Sequence, residues 1–466
     1  MQTYLQAHVQ RFREWVGWGS MPIWRRPFVR HVGIVAGGNV IAQAVAIVFS
    51  PIIARLYGPD AFGLYGVFKA MLTIGIPCVA LGYAYAIVLP AADEDARRLL
   101  RLALVLGTAV TLAGMAILIP LRQQIAVGLG LGDFAPYLLW VPPAIGFGAM
   151  AAALDQWLTR TKAFRAISGV AIGHMLSINI GKAVAGLFAP GPLALIGIAS
   201  GGQGLHALLA ALGSQRSLRR AASGAALPST RRLAWLFDER DRSLLRQYRD
   251  FPLYRLPQML LNTTAYGLPT ILLAALFSPV AAGLYAMAQR VIELPGEIIA
   301  SAVGKVFQQR VAEGAHRGES LRRLIVRATL GLSGIVLIPS VLIAIIGPAA
   351  FALVFGPEWR GAGEYARWLG LWLFFGFAGR PSITAIPILS LQGHFLAYEV
   401  ASVILRSAAI LVGALVLQSD VAAVALFALS GALLNVLLIV YVLYQSGHRS
   451  RLLADSFGDK GTHGER

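Results

Sequence analysis

Nine lysines and arginines lie inside the long apolar stretches of the sequence, and six of them are the strongest candidates for binding. A lysine or arginine in a membrane-spanning segment costs roughly 3 kcal/mol or more unless it faces a cavity or a partner, so each is a candidate binding residue. Arginine offers a bidentate fork to an anion, and lysine offers a mobile point charge. The residues predicted to line a central cavity and bind substrate are Lys69, Arg290, Lys182, Arg255, Arg380 and Arg406.

Lys69 and Arg290 occupy nearly equivalent positions in two different apolar stretches. Lys69 lies about eight residues into the second predicted span, and Arg290 lies about nine residues into the eighth. The helical rise places both roughly 12 to 14 Å below the same end of the bundle, near the middle of the membrane. Two cations facing each other at that depth would suit a diphosphate group.

Two acidic residues follow Arg290 along the same predicted span. Glu293 and Glu297 are spaced at i+3 and i+7 from Arg290, which places all three on one face of a helix. One interpretation is a charged stripe that couples H+ or Na+ movement to a conformational switch. The other is that Arg290 and Glu293 merely neutralise each other.

Other polar residues in the spans have structural as well as functional interpretations. Glu399 precedes Arg406 by seven residues, so an ion pair between them is conceivable. His174 and His206 favour helix packing over proton transfer. No nucleotide loop, paired metal-ligand spacing or nucleophile motif is found, so the sequence predicts no cofactor, no metal and no catalytic residue; energy would come from an ion gradient or the substrate's own gradient.

The composition identifies the element that must position these residues as a membrane helix. The chain is 57% hydrophobic and only 13% charged, against about 25% charged residues in soluble domains. The mean hydropathy is +0.67. The one cysteine, Cys78, lies in an apolar run and excludes a disulfide framework. The predicted fold class is an all-α polytopic membrane protein.

Apolar runs long enough to cross about 30 Å of hydrocarbon predict about 12 spans in two groups of six. The first six lie near 31–53, 62–90, 99–120, 137–158, 166–188 and 192–213. The second six lie near 254–277, 281–309, 324–346, 365–389, 395–417 and 421–444. The predicted organisation is an N-terminal cytoplasmic or interfacial segment, a six-helix bundle, a basic linker, a second bundle and a tail: 1–30, 31–213, 214–250, 251–444 and 445–466.

The positive charges indicate orientation. Of the 40 lysines and arginines, 28 fall in the tails and loops on one side, whereas the opposite loops hold only Arg55, Arg122 and Arg360. Cytoplasmic loops carry such an excess, so both termini and the 214–250 linker are predicted to be cytoplasmic. The formal charge of +18 therefore reflects topology and contact with lipid headgroups rather than nucleic acid.

One short segment occurs twice, 220 residues apart. "ARLYGPDAFGLYGVFK" at 54–69 aligns with "AALFSPVAAGLYAMAQ" at 274–289, superposing a leucine, an aromatic residue, a proline and a Gly-Leu-Tyr sequence. Both copies lie between the first and second spans of their halves and on the same side of the membrane. This indicates a parallel repeat with a pseudo-twofold axis along the membrane normal, and substrate sites in such transporters tend to lie between the repeats.

The collinear order of several segments resembles a known family. The segments are "ARLYGPDAFGLYGVF", "YAYAIVLPAADEDA", "YRDFPLYRLPQMLLN", "FSPVAAGLYAMAQRVIELP", "VGKVFQQRVAE" and "FGPEWRGAGEYARWL". From about residue 30 to 445, the chain resembles bacterial oligosaccharide flippases of the polysaccharide-biosynthesis type, in the multidrug/oligosaccharidyl-lipid/polysaccharide exporter superfamily.

The resemblance implies two six-helix bundles in a V, in the bacterial inner membrane. It implies transfer of an undecaprenyl-diphosphate-linked O-antigen or exopolysaccharide unit from the cytoplasmic to the periplasmic leaflet by alternating access. It also implies a polysaccharide polymerase and a chain-length regulator as partners. The function expected on this basis is transport, not enzymatic catalysis.

The sequence favours two other functions less, a multidrug exporter and a membrane polysaccharide enzyme. A multidrug exporter of the same superfamily would share the fold, but such exporters commonly carry a buried acid in the first or seventh span, and here those spans contain none. A membrane polysaccharide polymerase or glycosyltransferase would carry a large periplasmic loop, and every loop predicted on that side is short. The cation-rich spans favour an anionic substrate.

Overall fold

The computed structural model describes residues 27–222, 238–316 and 320–458; for 27–36, 294–306, 448–458 and a few neighbours, only the backbone is described. The described residues form thirteen α-helices and no strands. They are α1 Pro27–Val79, α2 Asp93–Gly128, α3 Val141–Arg160, α4 Phe164–Phe188, α5 Pro192–Ala222, α6 Glu239–Gln247, α7 Leu256–Leu276, α8 Pro279–His316, α9 Leu321–Phe355, α10 Arg360–Ala378, α11 Arg380–Ala385, α12 Gln392–Leu415 and α13 Asp420–Gly458.

Each of the twelve predicted spans corresponds to a helix. Within the described residues, nine helical stretches are long and apolar enough to cross a membrane, and the first of them, Gly37–Val79, contains two predicted spans. The predicted spans 281–309 and 365–389 correspond to α8 and to α10 with α11. The predicted fold class, an all-α polytopic membrane protein with two helical bundles, is confirmed.

The helix α1 turns sharply at Gly58, between the first two predicted spans. Gly58 has φ 66° and ψ 171°, a conformation that only glycine adopts without strain. Pro59 follows and lacks the N–H that would continue the hydrogen-bonding pattern. The first copy of the repeat is therefore a tight hairpin between two helical arms, 27–57 and 59–79.

Two predicted spans end earlier than the sequence suggested. The span 62–90 is wrong beyond Val79, because Leu81 and Gly82 take positive φ angles and residues Tyr83–Val88 form a 3-10 helix. The span 365–389 is interrupted after Ala378 and ends in a turn in which Ser390 has φ 51°. Hydropathy marks both segments as buried, and it does not report that their backbone changes direction.

The two copies of the repeat contact each other reciprocally. A Cβ added to Gly63 would fall 3.0 Å from the Cα of Pro279, and a Cβ added to Gly283 would fall 3.0 Å from the carbonyl carbon of Pro59. Each glycine thus accommodates the proline of the other half. We call the end of the molecule that holds this contact the hairpin end, and the opposite end, which holds α6, the linker end.

Further contacts join the two halves at the hairpin end. The Arg55 guanidinium donates to the carbonyl oxygens of Leu353 at 2.7 Å and Val354 at 3.2 Å. The buried Trp359 indole donates to the Ala54 carbonyl at 3.1 Å. One continuous apolar core includes buried residues from both halves at this end.

At the linker end, α6 packs on the N-terminal half. Its Leu244 is buried in the same core as Trp157 and Leu99. The fully buried Asp241 pairs with Arg101 and, at 3.5 Å, with Arg98, both at the start of α2. The predicted linker 214–250 is thus partly helical, since α5 continues to Ala222 and α6 begins at Glu239; residues 223–237 lie outside the described residues.

Candidate functional site

The cluster formed by Tyr65 and Lys182 lies inside the N-terminal half. Lys182, on α4, is only 5% exposed. Its Nζ donates to the Tyr65 hydroxyl at 2.7 Å and lies 4.2 Å from the centre of the Tyr65 ring. The Tyr57 hydroxyl donates to the Lys182 carbonyl oxygen at 2.8 Å, which fixes α4 against the hairpin. A buried ammonium group is therefore held in place with a neutral hydroxyl as its partner.

Lys69 and Arg290 lie around the same cluster. The charges of both act on Tyr65 and on Lys182, so the structure brings three of the six predicted cations together. Lys69 is exposed and Arg290 is half-buried. Tyr65 and Lys69 lie six and ten residues after Pro59, roughly 9 and 15 Å from the hairpin end.

The predicted acidic stripe on α8 is described only in part. Glu293 accepts a hydrogen bond from the Gln289 amide at 2.9 Å. Both Arg290 and Glu293 have described side chains, and no salt bridge joins them, so mutual neutralisation by a direct pair is not observed. The side chain of Glu297 lies outside the described residues.

In the C-terminal half, Arg406 lies on aromatic rings. Its guanidinium carbon is 5.1 Å from the centre of the Trp372 ring and 5.3 Å from that of Phe427, a cation–π arrangement. Its Nε donates to the Ser402 carbonyl at 3.3 Å. The suggested ion pair between Glu399 and Arg406 is not formed, because the guanidinium is held over these rings instead.

The other two predicted cations are separate from the Tyr65–Lys182 cluster. Arg380 begins α11, is exposed, and lines a cavity of about 350 Å³ that Arg406 and Glu399 also line. Arg255 closes a π-helical turn, Phe251–Arg255, before α7 and donates to Gln258 at 3.1 Å. The structure thus divides the six into a group of three, a pair at the cavity, and one at the linker end.

None of the six predicted cations forms a salt bridge with any carboxylate in the described part of the chain. Arginines at the linker end differ in this respect. Arg98 and Arg101 pair with Asp241, Arg160 pairs with Asp93 at 2.8 Å, and Arg240 pairs with Asp95 at 2.9 Å. The hydrogen bond that Arg240 donates to the Asp95 carboxylate raises the pKa of Arg240 above its ordinary value. The arginines at the linker end are paired with carboxylates, whereas the six span cations pair with none of the described carboxylates; those with hydrogen-bond or ring partners contact neutral hydroxyl, amide, carbonyl or aromatic groups.

Sequence reasoning missed the roles of the two repeated tyrosines. Tyr65 hydrogen-bonds Lys182, and its repeat equivalent Tyr285, only 1% exposed, lies close enough to Arg406 for their charges to interact. Each half therefore places the tyrosine of its Gly-Leu-Tyr sequence beside a cation. The signal that could have found them is their equivalent position in the repeat.

Two histidines, His174 and His206, contact each other between helices. The rings of His174 and His206 lie 4.6 Å apart, and His206 Nε2 is 3.1 Å from an Asp155 oxygen. His174 Nε2 is buried without a hydrogen-bond partner in the described residues. Among those residues, no group of three or more metal-binding side chains converges.

The arrangement of the helices is similar to that of several solved membrane transporters. It matches an inward-facing multidrug resistance MATE family transporter of the MOP superfamily (TM-score 0.63, 12% identity, covering 92% of this chain and 99% of that one). It also matches the lipid II flippase MurJ in an inward closed conformation (TM-score 0.64, 11% identity, covering 90% of each chain). The fold is that of MOP superfamily transporters.

A third match is a MOP superfamily transporter from Pyrococcus furiosus whose binding pocket is described as reversed in polarity (TM-score 0.58, 13% identity, covering 91% of this chain and 96% of that one). No curated protein matches the sequence. The model of the polysaccharide biosynthesis protein family matches residues 52–364, and the chain belongs to that family. The resemblance drawn from the sequence is confirmed at this level.

Proposed function

We propose that the protein is a flippase that moves undecaprenyl-diphosphate-linked oligosaccharide units from the cytoplasmic to the periplasmic leaflet by alternating access, for O-antigen or exopolysaccharide synthesis. The observation that carries the proposal is the set of six span cations with no salt bridge in the described residues. Charges in spans persist where they face a cavity or a partner. An anionic substrate supplies that partner.

The Tyr65–Lys182 cluster is the proposed diphosphate site. Lys69 provides a mobile ammonium group, Arg290 provides a guanidinium fork, and Lys182 provides a buried ammonium group that Tyr65 holds in place. A diphosphate cannot cross hydrocarbon alone, and charge-assisted hydrogen bonds to three cations offset the loss of its water. Arg255 at the linker end is proposed to meet the incoming headgroup.

The proposed setting is the bacterial inner membrane, with both termini cytoplasmic. The family match to polysaccharide biosynthesis supports a role beside a polysaccharide polymerase and a chain-length regulator. Coupling to H+ or Na+ is proposed at Glu293 and Glu297, since Glu293 already accepts a hydrogen bond inside α8 beside the cations.

The test is transport by reconstituted protein carrying Lys69→Gln and Arg290→Gln, singly and together. Proteoliposomes with fluorescent lipid-linked oligosaccharide in one leaflet report its arrival in the other. The double variant should transport at least about tenfold more slowly, because each lost charge-assisted bond contributes roughly 1.5 kcal/mol or more. Arg122→Gln, an exposed cation, is the matched control. Normal transport by the double variant at normal abundance would contradict the site.

A cation-coupled multidrug exporter is the second candidate, and the fold match to MATE transporters supports it. The unpaired cations argue against cationic drugs, which they would repel. Transport of ethidium by the same proteoliposomes, without transport of the lipid-linked oligosaccharide, would favour this candidate. The matched folds are transporters and a flippase, so a polysaccharide polymerase has the least support.

A further inference from the structure

The cavity lined by Arg380, Arg406 and Glu399 lies in the C-terminal half, away from the Tyr65–Lys182 cluster. It has a volume of about 350 Å³, lies among α7, α10, α11, α12 and α13, and has none of the cluster residues in its lining. Sites for small molecules in proteins span roughly 300 to 1,000 Å³. We call it the C-half cavity. Its size suits one or two sugar rings rather than a lipid tail.

Both aromatic rings and polar groups line the C-half cavity. Trp372, Tyr266 and Tyr398 contribute ring surfaces, and Asn262 and Glu399 contribute amide and carboxyl groups. A pyranose ring has an apolar face of C–H groups and a rim of hydroxyls. Aromatic faces bury the first, and carboxylate or amide oxygens accept hydrogen bonds from the second.

Glu399 supplies the acceptor. Its side chain is half-buried, Asn262 lies beside the carboxyl group, and the buried Oε2 atom has no hydrogen-bond partner in the described chain. Asn262 already hydrogen-bonds the carboxyl group, and Oε2 is the oxygen left to accept a hydrogen bond from a bound molecule. The neighbouring Asn435 is already satisfied, since it accepts from the Tyr398 hydroxyl and donates to the Gly431 carbonyl.

The Trp372 ring is held at the cavity by its neighbours. A Cβ on Gly431 would lie 2.6 Å from Trp372 Cδ1 and 2.9 Å from Nε1, so only glycine allows the indole to sit so close to α13. The Arg406 guanidinium covers one face of the ring. The same cavity therefore holds a fixed aromatic surface and a carboxyl oxygen without a hydrogen-bond partner in the described residues, two features that suit a sugar ring.

We propose that the C-half cavity binds a sugar residue of the lipid-linked oligosaccharide, with Glu399 accepting a hydroxyl hydrogen bond and Trp372 stacking on the ring. This inference rests on the proposed flippase function and assigns the diphosphate and the sugar to two different sites. The diphosphate binds at the Tyr65–Lys182 cluster, to which α8 of the C-terminal half adds Arg290, and the sugar binds in the separate C-half cavity.

The experiment compares two ligands on full-length purified protein in detergent. One is bare undecaprenyl diphosphate, and the other is lipid-linked oligosaccharide extracted from the native membrane. Glu399→Gln should weaken binding of the oligosaccharide about tenfold, the value of one charge-assisted hydrogen bond, and Trp372→Phe should weaken it about two- to tenfold through the loss of stacked ring surface; both should leave binding of the bare lipid unchanged. Lys182→Gln should weaken both ligands equally.

The controls are Glu358→Gln, an exposed glutamate outside the cavity, and Trp368→Phe, one helical turn before Trp372. Unchanged binding of bare lipid by Glu399→Gln shows that the variant is folded. Equal affinity of the wild type for the two ligands would overturn the sugar site while leaving the diphosphate site intact. A Na+-dependent shift in affinity that disappears in Glu399→Gln, with the ligand preference unaltered, would overturn it in favour of an ion site.

Discussion

Replacement of Gly63 by alanine perturbs the reciprocal contact between the halves. The added methyl group would lie 3.0 Å from the Cα of Pro279 and much nearer to its carbonyl oxygen. These are backbone atoms, so no side chain can rotate away. Reaching an ordinary separation of about 3.4 Å from that oxygen requires the hairpins to move apart by roughly 1.5 to 2 Å.

The magnitude follows from the cost of the clash. Overfilling a close-packed contact costs about 1 to 3 kcal/mol. Alanine also gains up to about 1 kcal/mol over glycine in a helix, but this gain is the same in the closed and the open arrangement and cancels between them. Because only the closed arrangement contains the clash, we expect its population to fall by about 5- to 150-fold relative to an open one.

The assay is a distance between spin labels across the hairpin end. Labels at Arg122→Cys and Arg360→Cys, one in each half, are introduced on a Cys78→Ser background. Pulsed electron paramagnetic resonance should show the distance distribution of the Gly63→Ala protein shifted to longer values. Lipid-linked oligosaccharide transport should slow, since closure at this end is one of the states that alternating access visits.

Gly331→Ala is the matched control, because a Cβ at that helical position meets nothing within 4 Å. It adds the same methyl group to a helix and should leave the distances unchanged. If the distributions of Gly63→Ala and Gly331→Ala coincide, the proline–glycine contact does not determine closure and the reasoning is refuted.

Two further substitutions test the ends of the molecule. Asp241→Asn removes the carboxylate shared by Arg98 and Arg101, which are a quarter exposed, so we expect α6 to be loosened by about 1 to 3 kcal/mol and its amides to exchange hydrogen faster. Trp359→Phe leaves the buried Ala54 carbonyl without its indole donor and should lower the unfolding free energy by about 1 to 3 kcal/mol, measured by thermal denaturation.

The controls use residues of the same type with fewer contacts. Asp133→Asn, at an exposed position between α2 and α3, should leave hydrogen exchange in α6 unaltered. Trp368→Phe, on the outer face of α10, should denature like the wild type. Unchanged exchange in Asp241→Asn, or an unchanged midpoint in Trp359→Phe, would show that these buried contacts contribute little.

The sequence was sufficient for the fold because apolar length is nearly all that a membrane helix requires. It overestimated helix continuity at 80–90 and 379–390, where Leu81 and Ser390 take positive φ angles. Hydropathy averages over a window and cannot register a change of backbone direction at one residue. These errors move span ends and leave the number of spans unchanged.

The cations of the candidate site could be named from the sequence, but their positions relative to one another could not be predicted. Depth along a helix follows from residue number, so Lys69 and Arg290 were placed at a common level, and the structure puts both beside Tyr65. The rotation of each helix and the identity of its neighbour do not follow from spacing. Lys182 and Tyr65 are 117 positions apart, and a tyrosine in an apolar run gives no sign of a hydrogen bond that depends on packing.

The reciprocal contact of Pro59 with Gly283 and of Pro279 with Gly63 has the form of an isologous dimer interface, in which each subunit presents both surfaces of the contact. Such an arrangement is self-complementary, so a six-span ancestor could have paired with a second copy of itself before its gene was duplicated and fused. Duplication and fusion of that gene would have freed the two halves from identical sequence, which fits the presence of Lys69 in one half and Arg290 in the other beside two hairpins that keep the same proline and glycine.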